Sequence, residues 1–194
     1  MKLQAATTAA SFLFVPATRP ERISKALASG AGCVIVDLED AVTPEQKNDA
    51  REAMVRSLGM LSESDLGRML VRINADHTPW YEQDVQALRG WAAGRLAGVM
   101  LPKAESPATL ESLNAAFEAS MPLVPLIESL AGLDAADVLA RAPQVVRLAF
   151  GHLDFQVDLG IECQPGEQEL LPARMAIVSA SRRAGLAPPV DGVT

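Results

Sequence analysis

Short, uniformly apolar runs alternate with longer amphipathic stretches along the whole chain. The runs are Phe12–Val15, Cys33–Leu38, Met69–Ile73, Gly98–Leu101, Leu123–Ile127, Val145–Phe150 and, at the end of the sequence, Val190–Thr194. They contain β-branched residues, are bounded by turn or polar residues and have strand length. Because they are apolar throughout rather than alternating, they fit strands covered on both faces. Between them the pattern predicts helices over Pro20–Ser29, Pro44–Leu58, Trp80–Trp91, Pro107–Ala119, Leu133–Ala140 and Leu170–Ala184. Pro20 suits the first turn of its helix and Gly30 its C-cap. Thr43 is placed as an N-cap, and Ala50, Ala53, Met54 and Leu58 share one helical face.

The resulting order is strand then helix, repeated six times, with a seventh strand beginning. Two architectures accommodate it: a doubly wound open sheet or a (β/α)8 TIM barrel. No strand is followed by a Gly-x-Gly-x-x-Gly turn or a Walker A loop, which weakens the nucleotide-binding open sheet. The polar residues favour the barrel. Arg19 follows the first run, Asp37, Glu39 and Asp40 the second, and Arg72 and Asn74 the third. Lys103 and Glu105 follow the fourth, Glu128 the fifth, and His152 and Asp154 the sixth. A barrel brings all strand C-termini to one mouth, where these groups converge. The expectation is one domain over residues 1–194, a barrel incomplete at its C-terminal end at about six and a half βα units.

Composition narrows the function classes. With 194 residues, 49% of them hydrophobic, the chain can bury a sizeable core. Its 17 Lys+Arg against 24 Asp+Glu exclude a basic surface for nucleic acid or anionic lipid. Cys33 and Cys163 form neither a disulfide framework nor a metal motif, as in a reducing compartment. Phe12–Val15 is too short for the roughly 7–15-residue apolar segment of a secretory signal. No run approaches the roughly 18 apolar residues of a membrane span. No targeting segment and no membrane partner are expected, and cytoplasm is the default location.

Glu128 and Asp154 are the candidate chemical pair. Carboxylates at neighbouring strand ends suit a hard divalent cation; Mg²⁺ takes one or two and completes its octahedron with water and substrate oxygens. The alternative is a helix cap for Glu128 and a loop acid for Asp154. Arg72 lies inside an apolar strand, where a guanidinium must be paired. Either Asp37, Glu39 or Asp40 neutralises it, or it grips a substrate carboxylate or thioester oxygen; both can hold together. His152 is a possible base or simply a hydrogen-bonded rim residue. Lys103 is a possible Schiff-base lysine or, more simply, a salt-bridge partner.

Several segments together resemble the citrate lyase β-subunit-like family, within the HpcH/HpaI aldolase superfamily. They are Leu13-Phe14-Val15-Pro16-Ala17-Thr18-Arg19-Pro20-Glu21-Arg22, Val36-Asp37-Leu38-Glu39-Asp40-Ala41-Val42, Val71-Arg72-Ile73-Asn74 and Leu101-Pro102-Lys103-Ala104-Glu105. Pro125-Leu126-Ile127-Glu128-Ser129, Phe150-Gly151-His152-Leu153-Asp154-Phe155 and Glu169-Leu170-Leu171-Pro172-Ala173-Arg174 continue the series in family order. The resemblance implies a (β/α)8 barrel that makes or breaks a carbon–carbon bond in a 3-hydroxyacyl thioester by Claisen-type chemistry. It implies malyl-, citramalyl- or citryl-type substrates, carried on CoA or, in a citrate lyase complex, on an acyl-carrier subunit. A 2-oxoacid is the other small-molecule partner, and a homo-oligomer is expected. The family's Mg²⁺ ligands fall on Glu128 and Asp154 and its substrate-binding arginine on Arg72. Backbone amides over Gly151–Asp154 would hold the oxoacid carboxylate, and Arg19 would meet the carrier's phosphates. A non-catalytic barrel fragment that binds oxoacids is the different-class reading. Two departures stand out: Ala17 replaces the family's usual Gly, and the seventh strand is barely begun at Thr194.

Overall fold

In the computed structural model, which describes residues 5–92 and 94–193, six strands form one sheet. They are β1 (Phe12–Pro16), β2 (Cys33–Asp37), β3 (Met69–Arg72), β4 (Gly98–Leu101), β5 (Leu123–Ile127) and β6 (Ala149–Phe150). All pairs are parallel and the spatial order is the chain order, so every connection crosses over in the same sense of progression. The crossovers carry helices: α1 (Ala5–Thr8) precedes β1, α2 (Ile23–Ala28) follows it, and α3 (Lys47–Gly59) and α4 (Glu63–Leu66) follow β2. Next come α5 (Tyr81–Leu88), α6 (Pro107–Ala116), the short pair α7 (Leu130–Asp134) and α8 (Ala136–Leu139), then α9 (His152–Leu159) and α10 (Leu171–Arg183).

Strand alternation sorts the apolar residues into two layers. Val34, Val36, Met69, Val71, Val99, Leu101, Leu123 and Ile127 face outward and pack with helix residues such as Met54, Leu58, Leu88 and Leu113. Cys33, Ile35, Leu70, Met100, Val124, Leu126 and Ala149 face inward and share a second core with Phe12 and Phe14 of β1. A cluster that joins the first strand to the last exists only because the sheet curls. Arg147 fastens that curl. Its Nη1 donates to the carbonyls of Ala9 (2.7 Å) and Ala6 (3.3 Å), its Nε to that of Pro188 (2.5 Å), and its guanidinium lies 5.4 Å from the Phe12 ring centroid. The architecture is α/β, a curled parallel six-strand half-barrel.

Several expectations shift. The sixth strand, expected over Val145–Phe150, is reduced to Ala149–Phe150 plus an isolated Leu123–Val145 bridge. Its register against β5 slips by one residue between Leu123↔Val145 and Leu126↔Ala149. Pro125 of β5 falls in that interval and has no N–H to give the ladder. The seventh strand is seen as a bridge from Val190 to Ala149, with Thr194 outside the described residues. The helix expected over Leu133–Ala140 begins earlier, where the Ser129 hydroxyl accepts the Gly132 N–H and caps α7. Residues beyond Gly151, expected as a loop, form α9, so Asp154 stands in the first turn of a helix. Among the described residues no helix is long and apolar enough to cross a membrane.

Candidate active site

Inward alternation that places Ile35 and Leu70 in the core places Asp37 and Arg72 next along β2 and β3, side by side in register at the C-terminal ends. Arg72 grips Asp37 with a two-pronged fork, Nε to Oδ1 at 2.8 Å and Nη2 to Oδ2 at 2.7 Å. Its Nη1 lies 3.1 Å from both Glu39 and Asp40. Asp37 in turn accepts the backbone N–H groups of Glu39 and Ala41, which fixes the turn that presents those acids. The Phe14 ring lies beneath the guanidinium, 5.0 Å from its centre. Burial opposes the charge on Arg72, but the fork and fields of Asp37, Glu39 and Asp40 outweigh it and hold its pKa above the ordinary arginine value.

Glu128 leaves the end of β5 and is buried. Its Oε2 accepts the backbone N–H of Lys103 at 2.9 Å. Gly151 makes room for it: a Cβ there would lie 2.5 Å from Oε1. Burial, then the negative field of Glu39, pushes the Glu128 carboxyl up to about 7. Glu39 is also raised, by burial, with Arg72 and Lys103 opposing. The Lys103 ammonium lies among three carboxylates, 2.9 Å from Glu39, 3.1 Å from Asp154 and 3.9 Å from Glu128. One cation thus already spans Glu128 and Asp154.

Arg72, Glu128 and Asp154 line one open cavity of about 450 Å³, together with Asp37, Asp40 and the apolar side chains of Phe14, Ile35 and Met100. His152 lines it too. Its Nε2 faces Glu167 at 3.2 Å, while its Nδ1 is buried without a hydrogen-bond partner beneath Gly192. The structure therefore brings together Arg72, Glu128 and Asp154 but leaves Arg19 apart. Arg19 is surface-exposed, donates to Glu21 at 2.6 Å and does not line the cavity.

Behind the acids lies a support network that the sequence reading passed over. Lys47 of α3 donates to the carbonyls of Leu38 and Glu39 and to Asn74 Oδ1, at 2.7, 2.8 and 2.6 Å. Asn74 is held by Asp84, which also pairs with Arg51 at 2.7 Å. A signal was present: Asp84 falls on the helical face of Tyr81, Val85 and Leu88, and Lys47 on that of Ala50 and Met54, where a charge needs a buried partner.

Glu128 and Asp154 suit Mg²⁺ by donor type: two hard carboxylates with open space before them for water and substrate oxygens. Among the described residues no set of three or more His, Cys, Asp and Glu side chains forms a fuller metal cage. Gly151→Ala tests the cradle. The added methyl meets the Glu128 carboxylate and is expected to weaken Mg²⁺ binding at least tenfold in a calorimetric titration.

Residues 10–193 match the family profile described as HpcH/HpaI aldolase/citrate lyase. The chain belongs to that family. Among its curated members, a citrate lyase subunit beta-like protein of Deinococcus radiodurans is 35% identical over 183 residues, 91% of this chain and 63% of that protein. The L-malyl-CoA/beta-methylmalyl-CoA lyase of Cereibacter sphaeroides is 32% identical over 209 residues, 93% of this chain and 64% of that one. The chain thus spans somewhat under two thirds of the length of these HpcH/HpaI relatives. The citrate lyase beta subunit from M. tuberculosis, complexed with oxaloacetate and magnesium, superposes with a TM-score of 0.79 at 34% identity, covering 95% of this chain and 80% of that one.

Proposed function

We propose that this HpcH/HpaI family member is a Mg²⁺-dependent carbon–carbon lyase for a 3-hydroxyacyl-CoA thioester of the malyl, citramalyl or citryl type. The observation that carries the reading is the convergence of Glu128 and Asp154 on one cavity that Arg72 also lines. The magnesium and oxaloacetate of the M. tuberculosis subunit and the CoA substrate of the Cereibacter enzyme support it. The half-barrel is then the larger part of an eight-unit (β/α)8 barrel, one domain throughout the present chain, working in the cytoplasm as a homo-oligomer.

Glu128 and Asp154 hold the metal, which when bound supplies Lewis-acid polarisation of the oxoacid oxygens. Backbone N–H groups in the first turn of α9 face the oxoacid carboxylate, as helix N-termini do for anions. Arg72 places fixed positive charge where the thioester enolate develops, and it needs no reorganisation because Asp37 already holds it. Asp37, Glu39 and Asp40 orient it. Arg19 meets the phosphates of the carrier from outside the cavity.

A panel of malyl-, citramalyl- and citryl-CoA, assayed for thioester loss and oxoacid release with and without Mg²⁺, tests the reading. Magnesium-dependent cleavage of at least one is expected from the full-length protein, and it is expected to disappear in Glu128→Gln/Asp154→Asn. Cleavage that survives both EDTA and that double substitution would reject the assignment.

A further inference from the structure

Lys103 is the one group of the cluster whose placement the proposed chemistry leaves unused. It adopts a left-handed backbone, φ +48°, a conformation that costs a non-glycine residue energy and persists where surrounding contacts enforce it. Two contacts do so. Its N–H is spent on Glu128 and the next N–H, of Ala104, on the Leu126 carbonyl. That turn points one residue at the site twice, with its amide on Glu128 and its ammonium among Glu39, Asp154 and Glu128.

The cluster contains Asp37, Glu39, Asp40, Glu128 and Asp154 against Arg72 and Lys103. Arg72 cannot move toward an incoming ion, because its fork is locked on Asp37 and its third nitrogen lies between Glu39 and Asp40. Lys103 can. Its side chain is 33% exposed, its stem is flexible, and Glu39 remains as an anchor once Asp154 and Glu128 are given up.

Given the reading of Glu128 and Asp154 as metal ligands, on which this inference rests, we propose that Lys103 is the built-in counter-cation of the site. A divalent ion must displace its ammonium from Asp154 and Glu128, and that exchange sets how tightly the site takes Mg²⁺. In the metal-free protein the ammonium relieves repulsion among three carboxylates. In the loaded protein it withdraws toward Glu39. The energetic logic is Coulombic: a monovalent and a divalent cation compete for the same two carboxylates at contact distance, and removing the first lowers the cost of the second.

Calorimetric titration with MgCl₂ alone, combined with thermal melts with and without Mg²⁺, tests this on the full-length protein. Lys103→Met removes the charge and keeps most of the stem, Lys103→Arg keeps the charge, and Asp154→Asn reports the ligand assignment. Lys103→Met is expected to bind Mg²⁺ at least tenfold more tightly than the parent, to melt lower without metal, and to gain more melting temperature from Mg²⁺. Lys103→Arg is expected to stay within about threefold of the parent, since it retains the competing cation. Should Lys103→Met fail to fold, Lys103→Gln carries the same expectation, with a neutral amide in place of the ammonium. Unchanged or weaker Mg²⁺ binding in the uncharged variant, with binding abolished in Asp154→Asn, overturns the role of Lys103 and leaves the metal site standing. Parent-like binding in Asp154→Asn overturns the metal site and this inference together.

Discussion

Arg72→Met is expected to destabilise the protein by about 3–5 kcal/mol, the usual cost of removing one partner from a buried ion pair. The substitution keeps much of the apolar stem over Phe14 but leaves Asp37 buried without its forked partner and Glu39 with Lys103 alone. The same holds, more mildly, for Arg72→Lys, which keeps charge but cannot span both Asp37 oxygens. Denaturant unfolding measures the loss. An Arg72→Met variant as stable as the parent would show that the acids around it are not dependent on it. If Arg72 also serves the substrate, Arg72→Lys loses turnover by a larger factor than its stability loss explains, because the planar fork is what a carboxylate or thioester oxygen reads.

Glu128→Gln is expected to act in opposite senses on binding and stability. Burial raises the folded-state carboxyl to about 7, above its ordinary value near 4.5. An acid raised in this way favours the folded state most at pH below its unfolded value, and that advantage is lost as pH rises through 7. At pH 8 the metal-free parent therefore carries a buried ionised carboxylate that Gln lacks. The variant is expected to be more stable there by about 3 kcal/mol, from the size of the shift at ~1.4 kcal/mol per unit. The gain is expected to shrink toward zero by pH 5. Magnesium binding runs the other way: absent in the variant, and in the parent falling about tenfold per pH unit below 7, as a ligand that must be deprotonated requires. Melts at pH 8 and pH 5 and Mg²⁺ titrations across the same range supply both readings. A variant less stable than the parent at pH 8 would contradict the burial penalty.

What could be read in advance follows from how local each cause is. Asp37 and Arg72 are the next-to-last residues of their apolar runs and Glu128 directly follows its own, so their place at the mouth was legible from composition and period alone. Which acid Arg72 would hold was not, because the pairing depends on the register of β2 against β3. Helix α9 escaped because Leu153 and Val157 face solvent and Phe155 is its one buried apolar residue, too little to reveal the helical period. The shortened β6 escaped for a non-local reason: the disturbing residue, Pro125, sits on the neighbouring strand. Lys47 and Asp84 were legible in principle, as charges on apolar helical faces, and their partners were not.

The Arg147 clasp bears on the order in which this molecule assembles. Every strand pairs with its neighbour in sequence, so each βα unit can dock on the preceding one across a short stretch of chain. The clasp reaches across 138 and 141 residues to Ala9 and Ala6. Closing a loop of that length from a free chain costs about 4 kcal/mol or more in entropy alone. Once the six strands have paired, their curl has already brought the two ends together and most of that cost has been met. The clasp is therefore a late event on the folding path and an early one to open, a latch governing how long the assembled state lasts rather than how quickly it is reached.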